Sequence, residues 1–208
     1  HIIRYKNKRD FDVDDTVRYQ VFGGYSFNFN TELQIKLCNA VNSTKDIIVV
    51  YNDKPILSYF HANSGGYIRS GLDYFGNNSN FPYLPDHYDP FSLFYPGSDW
   101  EYTLKIGDFL SLFNLNDLTL TNDNLIFNDS GFIEGMKIAD KSYSSKTVRL
   151  TVGNKFIKSE RFFADINPLT GDITFRGIGY GHGVGLSQWG AQGMAVSGFN
   201  YKEIINFY

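Results

Sequence analysis

Between Gly177 and Gly185 a glycine falls at every second position, in the run Gly-Ile-Gly-Tyr-Gly-His-Gly-Val-Gly. In an extended backbone, a period of two sends all five glycines to one face and Ile178, Tyr180, His182 and Val184 to the other. A face without Cβ atoms lets another backbone or a flat ligand approach closely. Each glycine costs roughly 0.5–1 kcal/mol relative to alanine, so such regularity calls for a compensating contact. We expect a second strand beneath the glycine face and a groove above the other. The run is not a phosphate-binding loop. Its odd-numbered spacing lacks the last glycine of a dinucleotide fingerprint, and no Lys-Ser or Lys-Thr closes it.

Leu186 to Ser197 has helical spacing (Leu186, Trp189, Gly190, Gly193), with Gly198 as its stop. This helix would start beside His182 and carry Gln188 back over the groove. Trp189, about 100° further round, would face the core. Asn200 caps a last helix, with Glu203 as its capping-box partner. The groove residues from this geometry are His61, Ser64, Tyr180, His182 and Gln188. An acyl hydrolase built on Ser187 and His182 is the weaker reading, because Gly185 to Gly190 is one residue too long for a nucleophile elbow.

Upstream, residues 14–22 alternate as a strand ended by Gly23-Gly24, and Thr31–Val41 has a helical apolar spacing. Ile47–Tyr51 and Ile56–Phe60 suggest a hairpin turning at 52–55. Its second strand delivers the polar segment Phe60-His61-Ala62-Asn63-Ser64-Gly65-Gly66. Residues 71–100, rich in Pro, Gly, Asn and Asp, read as a long ordered loop, and 104–115 as a short helix. Residues 118–176, including Lys146–Val152, alternate like a β-meander. The sum is one α+β domain, mostly antiparallel β with a few short helices.

Composition narrows the function. Nineteen Lys+Arg against 22 Asp+Glu give a net charge of -3, which argues against nucleic acid as a partner. Cys38 is the lone cysteine, so there is no disulfide framework. His61, His87, His182 and Cys38 lack zinc-site spacing, and neither a metal nor a cofactor is expected. Aromatic residues reach 17%, with 15 tyrosines, which suits a carbohydrate cleft as well as a β-rich scaffold.

Gly177 to Ala191 (GIGYGHGVGLSQWGA) resembles the signature of the SpoIID/LytB family of bacterial cell-wall proteins. Phe60–Gly66 is similar to that family's His-Ser-Thr-Ser-Gly-Gly segment, with Ala62 and Asn63 in place of Ser and Thr. Gln20–Gly24 resembles its Gln-Val-Tyr-Gly-Gly strand, and residues 201–208 resemble its closing helix. The resemblance implies a SpoIID-like fold and a lytic transglycosylase acting on peptidoglycan glycan strands stripped of stem peptides. One carboxylic acid protonates the glycosidic oxygen, and the sugar's 6-hydroxyl closes onto C1 to leave an anhydro end.

In that family the catalytic Glu lies upstream, before an Ala-rich helix absent from this sequence. None of Glu32, Glu101, Glu134, Glu160 and Glu203 has a matching context. The chain, opening on His1, therefore reads as a single SpoIID/LytB-like domain without its catalytic segment and is expected to be inactive alone. The alternative is a non-catalytic module that binds glycan or activates an amidase. The implied partners are glycan strands and a cell-wall amidase or other envelope protein. The implied location is extracytoplasmic, secreted or anchored through a segment outside this chain. Gly65, Gly66 and Ser187 join His61, Ser64, Tyr180, His182 and Gln188 as candidate substrate-binding residues.

Overall fold

A computed structural model describes residues 31–76, 81–95, 98–115, 119–127 and 133–208. The expected strand at 14–22 and the Gln20–Gly24 segment lie outside the described residues. The chain divides into two units, residues 1–57 and 58–208. In the first, helix α1 (Thr31–Ser43) covers the predicted span and carries an exposed Cys38. Strands β1 (Val50–Tyr51) and β2 (Lys54–Pro55) then form an antiparallel hairpin. Asn52 and Asp53 turn it with φ of 48° and 58°, the primed-turn geometry that matches strand twist. Lys54 and Pro55 thus pair rather than turn, and the hairpin is shorter than the sequence suggests.

The second unit opens with β3 (Phe60–His61), β4 (Tyr67–Ile68), helix α2 (Gly71–Phe75) and β5 (His87–Tyr88). A 3₁₀ turn at Pro90–Phe94, β6 (Asp99–Lys105) and α3 (Ile106–Leu112) follow. Next come β7 (Leu125–Phe127), β8 (Ile133–Ile138), β9 (Lys141–Ser144) and α4 (Ser145–Val152). The unit closes with β10 (Phe162–Asn167), β11 (Asp172–Ile178), β12 (Leu186–Ser187), α5 (Gln188–Val196) and α6 (Tyr201–Phe207). Two three-stranded antiparallel sheets, ordered β10-β11-β6 and β7-β8-β9, form its frame. The architecture is α+β, as expected.

Two expectations need correction. Lys146–Val152 is helical, not a strand of the meander. The Ser144 hydroxyl accepts the Thr147 N–H at 3.1 Å, which satisfies a free helix donor. Val148, Arg149 and Val152 then fall on one buried face, while Leu150, which completes the alternation of Val148 and Val152 in sequence, is exposed. Residues 71–100 are likewise more than a loop. Ser70 caps α2 through the Asp73 N–H, and Asp89 caps the 3₁₀ turn through the Ser92 N–H.

Along β11 burial has a period of two, turning Ile173, Phe175 and Gly177 inward. They belong to a core with Phe162 and Ile166 of β10, Phe109 of α3, Met136 and Ile138 of β8, and Val148 of α4. A smaller cluster of Ile68, Met194, Ile204 and Tyr208 holds the last two helices. The Asn200–Glu203 capping box is formed as read from the sequence. Among the described residues no helix is long and apolar enough to cross a membrane.

Gly177 is where the core passes into the glycine run. It pairs across the sheet with Trp100, and a Cβ there would lie 2.2 Å from the indole and 2.7 Å from the Arg161 carbonyl. Gly177→Ala is expected to cost roughly 1–3 kcal/mol by overpacking, measured as a lowered melting temperature. An unchanged melting temperature would mean that Trp100 swings aside freely.

Candidate functional site

Beyond β11 the glycine run leaves the extended conformation. Gly179, Gly181, Gly183 and Gly185 have φ of 83°, 115°, 77° and 67°. Side chains disfavour this region through the clash of Cβ with the backbone. Each such glycine redirects the chain, so the intervening residues do not share one face. Val184 is fully buried while Tyr180 is 47% exposed. The predicted period-two face is therefore lost, although the close backbone approach is present.

That approach comes from two flanks. On one, Tyr180 and Asn63 exchange both backbone hydrogen bonds (2.9 and 2.8 Å), the Arg69 N–H donates to Gly183 (2.7 Å), and the Leu186 N–H to Tyr59 (3.0 Å). On the other, the Gly181 N–H donates to Lys158 at 2.8 Å and the Ile178 N–H to Arg161 at 3.1 Å. At Gly181 a Cβ would stand 2.7 Å from the His61 Cβ, and at Gly185 2.3 Å from the Tyr59 carbonyl. Arg161 joins the flanks by donating to the Gly65 carbonyl at 3.0 Å.

Residues of both flanks and of the run line a cavity of about 570 Å³, among them Tyr67, Arg69, Glu160, Arg161 and His182. The Arg69 guanidinium donates to Asp73 at 2.5 Å and to Glu160 at 2.6 Å. The Glu160 side chain is only 6% exposed. Its second oxygen, Oε1, has no donor among the described residues. Buried Arg149 donates to the carbonyls of Ile157 and Lys158, both at 3.1 Å, and so fixes the turn that presents Glu160.

The rings of His61 and His182 lie 5.5 Å apart. His61 Nδ1 contacts the Val184 carbonyl at 3.2 Å, and a carbonyl can only accept, so Nδ1 carries the proton. His182 Nδ1 accepts the Val184 N–H at 3.1 Å, which leaves its proton on Nε2. Burial, then the neighbouring His182, pushes His61 down to about 3. Burial pushes His182 down to about 4, with Arg149, Lys146 and Arg69 adding repulsion. Both imidazoles are neutral near pH 7, so the pair offers hydrogen-bonding groups rather than a proton donor.

No family model matches the chain. An uncharacterised protein of Brachyspira hyodysenteriae is 32% identical over 212 residues, covering 100% of this chain and 55% of that protein. Stage II sporulation protein D of Bacillus subtilis is 29% identical over 205 residues, covering 94% of this chain and 57% of the relative. The amidase enhancer of the same species is 25% identical over 249 residues, covering 94% of this chain and 34% of the relative. The relatives of the SpoIID/LytB family, named stage II sporulation protein D and amidase enhancer, thus match this chain over 94% of its length at 25–29% identity. The chain spans little more than half the length of these relatives at most.

The glycine run supplies His182 to the cavity, and the Phe60–Gly66 segment supplies Ser64. The other candidates are placed elsewhere. His61 is buried against His182, and Gly65 and Gly66 form a turn with φ of 64° and 94°. Tyr180 and Gln188 are exposed and do not line the cavity. Ser187 is fully buried, and its hydroxyl accepts the N–H groups of Gly190 (3.1 Å) and Ser64 (3.3 Å). It is a helix cap, which removes the nucleophile reading. The Ser64 hydroxyl donates to buried Asp89 at 2.7 Å, an acid that also accepts the Tyr208 hydroxyl at 3.1 Å. Trp189 is not a core residue, being 40% exposed and stacked on Tyr95 at 3.7 Å.

The sequence reading missed Tyr67, Arg69, Asp73, Glu160 and Arg161. One signal was available in the charged run Lys158-Ser159-Glu160-Arg161, which lies between Ile157 and Phe162, both fully buried. Among the described residues no three His, Cys, Asp or Glu side chains gather as a metal-binding set.

The histidine pair makes stability depend on pH. The unfolded imidazoles take up protons below about 6.5, while the folded ones resist until about 3 and about 4. Stability is therefore complete above the unfolded value and falls as acid is added, by about 1.4 kcal/mol per pH unit for each histidine. Melting temperatures measured between about pH 7 and pH 5 should fall for the native protein and fall less for His61→Gln. Equal slopes would remove the burial of His61 as the cause.

Proposed function

We propose that this chain is the glycan-holding part of a peptidoglycan lytic transglycosylase that works outside the cytoplasm. The observation that carries the reading is the cavity under the SpoIID/LytB signature. Its lining sets Arg69 and Arg161 against Asp73, Glu134 and Glu160, and adds Tyr67 and several hydroxyl and amide groups. Near-balanced charge with many donors and acceptors suits a polar, largely neutral chain of sugars better than a phosphate polymer. The similarity to a stage II sporulation protein D supports a role in remodelling the wall.

Cleavage requires a proton at the leaving glycosidic oxygen, after which the sugar's 6-hydroxyl attacks C1 and an anhydro end remains. Asp73 and Glu160 are both bound to the Arg69 guanidinium. These carboxylates serve as hydrogen-bond acceptors for Arg69, and the resemblance to the SpoIID/LytB family implies that the acid is a Glu upstream of the motifs. A second reading, a non-catalytic module that stimulates a cell-wall amidase, is favoured by the similarity to the amidase enhancer.

One experiment separates the two. Purified glycan strands would be incubated with the 208-residue chain and with the full gene product, and the products read by mass spectrometry. The full product is expected to generate anhydro-muramic ends. The chain alone should be slower by about 10²–10⁴-fold, the usual worth of a placed proton donor. A full product that yields no anhydro ends but accelerates an added amidase would replace the first reading with the second.

A further inference from the structure

We infer that Glu160 selects a neutral sugar in the cavity, its Oε1 accepting a hydrogen bond from a sugar hydroxyl or acetamido N–H. The inference rests on the glycan-holding reading above and adds a residue and a chemical class to it.

Glu160 lines the cavity and is almost wholly buried, yet only one of its oxygens is engaged. Oε2 takes the Arg69 guanidinium at 2.6 Å, while Oε1 has no donor among the described residues. A carboxylate has room for several donors, and leaving a buried acceptor unmatched is costly. The groups on either side of the carboxylate are themselves held in place. Arg69 is tied to Asp73 at 2.5 Å and, through its backbone, to Gly183 at 2.7 Å. The turn bearing Glu160 is itself fixed by Arg149 and by the Ser159 hydroxyl, which donates to Ile178 at 2.6 Å. The other unmatched atom nearby, His61 Nε2, is likewise an acceptor once Nδ1 bonds Val184. Both unmatched atoms are acceptors, so a ligand that engages them must bring the donors.

Charge then selects among donors. Arg161 lines the same cavity. Lys146 and Arg69 lie 4.1 Å and 5.4 Å from the Tyr74 ring, which is itself 5.5 Å from His182. A cation would meet Arg69 and Arg161, and an anion would meet Asp73, Glu134 and Glu160, all in the lining of one cavity. A neutral O–H or N–H satisfies the acceptor without either conflict. The Tyr67 ring in the lining offers a flat face of the kind that sugar C–H groups cover.

Binding of tetra-N-acetylchitotetraose to this chain would be measured by isothermal calorimetry for the native protein and for Glu160→Gln. The substitution keeps the shape and removes the charge-assisted acceptor, and a loss of about ten-fold or more in affinity is expected. The fully deacetylated, cationic oligomer should bind the native protein more weakly than the acetylated one. Equal affinity of the variant, or tighter binding of the cationic oligomer, would overturn the inference while leaving the glycan reading intact. No binding of either oligomer to the native protein would sink the glycan reading itself, and this inference with it. Should Glu160→Gln not melt cooperatively, the native protein's Glu160 carboxyl ¹³C resonance decides. It should shift on saturation with the acetylated oligomer, and an unmoved resonance would overturn the inference.

Discussion

The site exists because one stretch of backbone, residues 178–186, hydrogen-bonds to two others at once. Ordinary strands reach two neighbours by lying flat in a sheet. Here the run meets its neighbours by turning at alternate residues. Glycine makes that possible at the turning points, since the Tyr59 carbonyl and the His61 side chain occupy the volumes where Cβ atoms would be. The same turns aim Val184 into the interior and leave His182 at the cavity, so packing and site geometry follow from a single backbone path.

Around that path the buried polar groups divide into matched and unmatched sets. Asp89 is fully buried and receives Ser64, Ser92 and Tyr208, which binds the Gly65-Gly66 turn to the last helix. Asn63 works similarly, accepting the Gly65 N–H at 2.7 Å and donating to the Ser92 carbonyl at 3.1 Å. These networks are satisfied, as expected for groups that specify a fold, and through Asn63 and Ser64 they form part of the cavity wall. Glu160 differs by having one buried oxygen without a donor among the described residues, in a side chain that lines the cavity.

What the sequence made legible was local and periodic. The Thr31 helix, the Asn200–Glu203 box and the alternation along Ile173, Phe175 and Gly177 all follow from spacing within one element. Lys146–Val152 misled because a short helix with Val148 and Val152 inward also alternates in sequence, and only the Ser144 cap decides between the two. The glycine run misled in another way. Its period of two is real, but it records alternating dihedral angles and not alternating faces. Arg69 and Glu160 could not be paired from sequence at all, since 91 positions separate them and each reads as an ordinary surface charge. The stacking of Trp189 on Tyr95 was hidden for the same reason.

The parallel pairing of β3 with β12 joins Phe60 to Leu186 and His61 to Ser187, and His61 meets Val184 across 123 positions. Closing so large a loop carries an entropic penalty before any contact repays it, and distant pairings of this kind slow folding. The antiparallel β10-β11 hairpin, by contrast, is local and can form early. The cavity is therefore a late product of folding. During synthesis it has no counterpart in the growing chain until the residues through Ser187 have emerged, and the histidine and arginine side chains that will line it spend that interval in water.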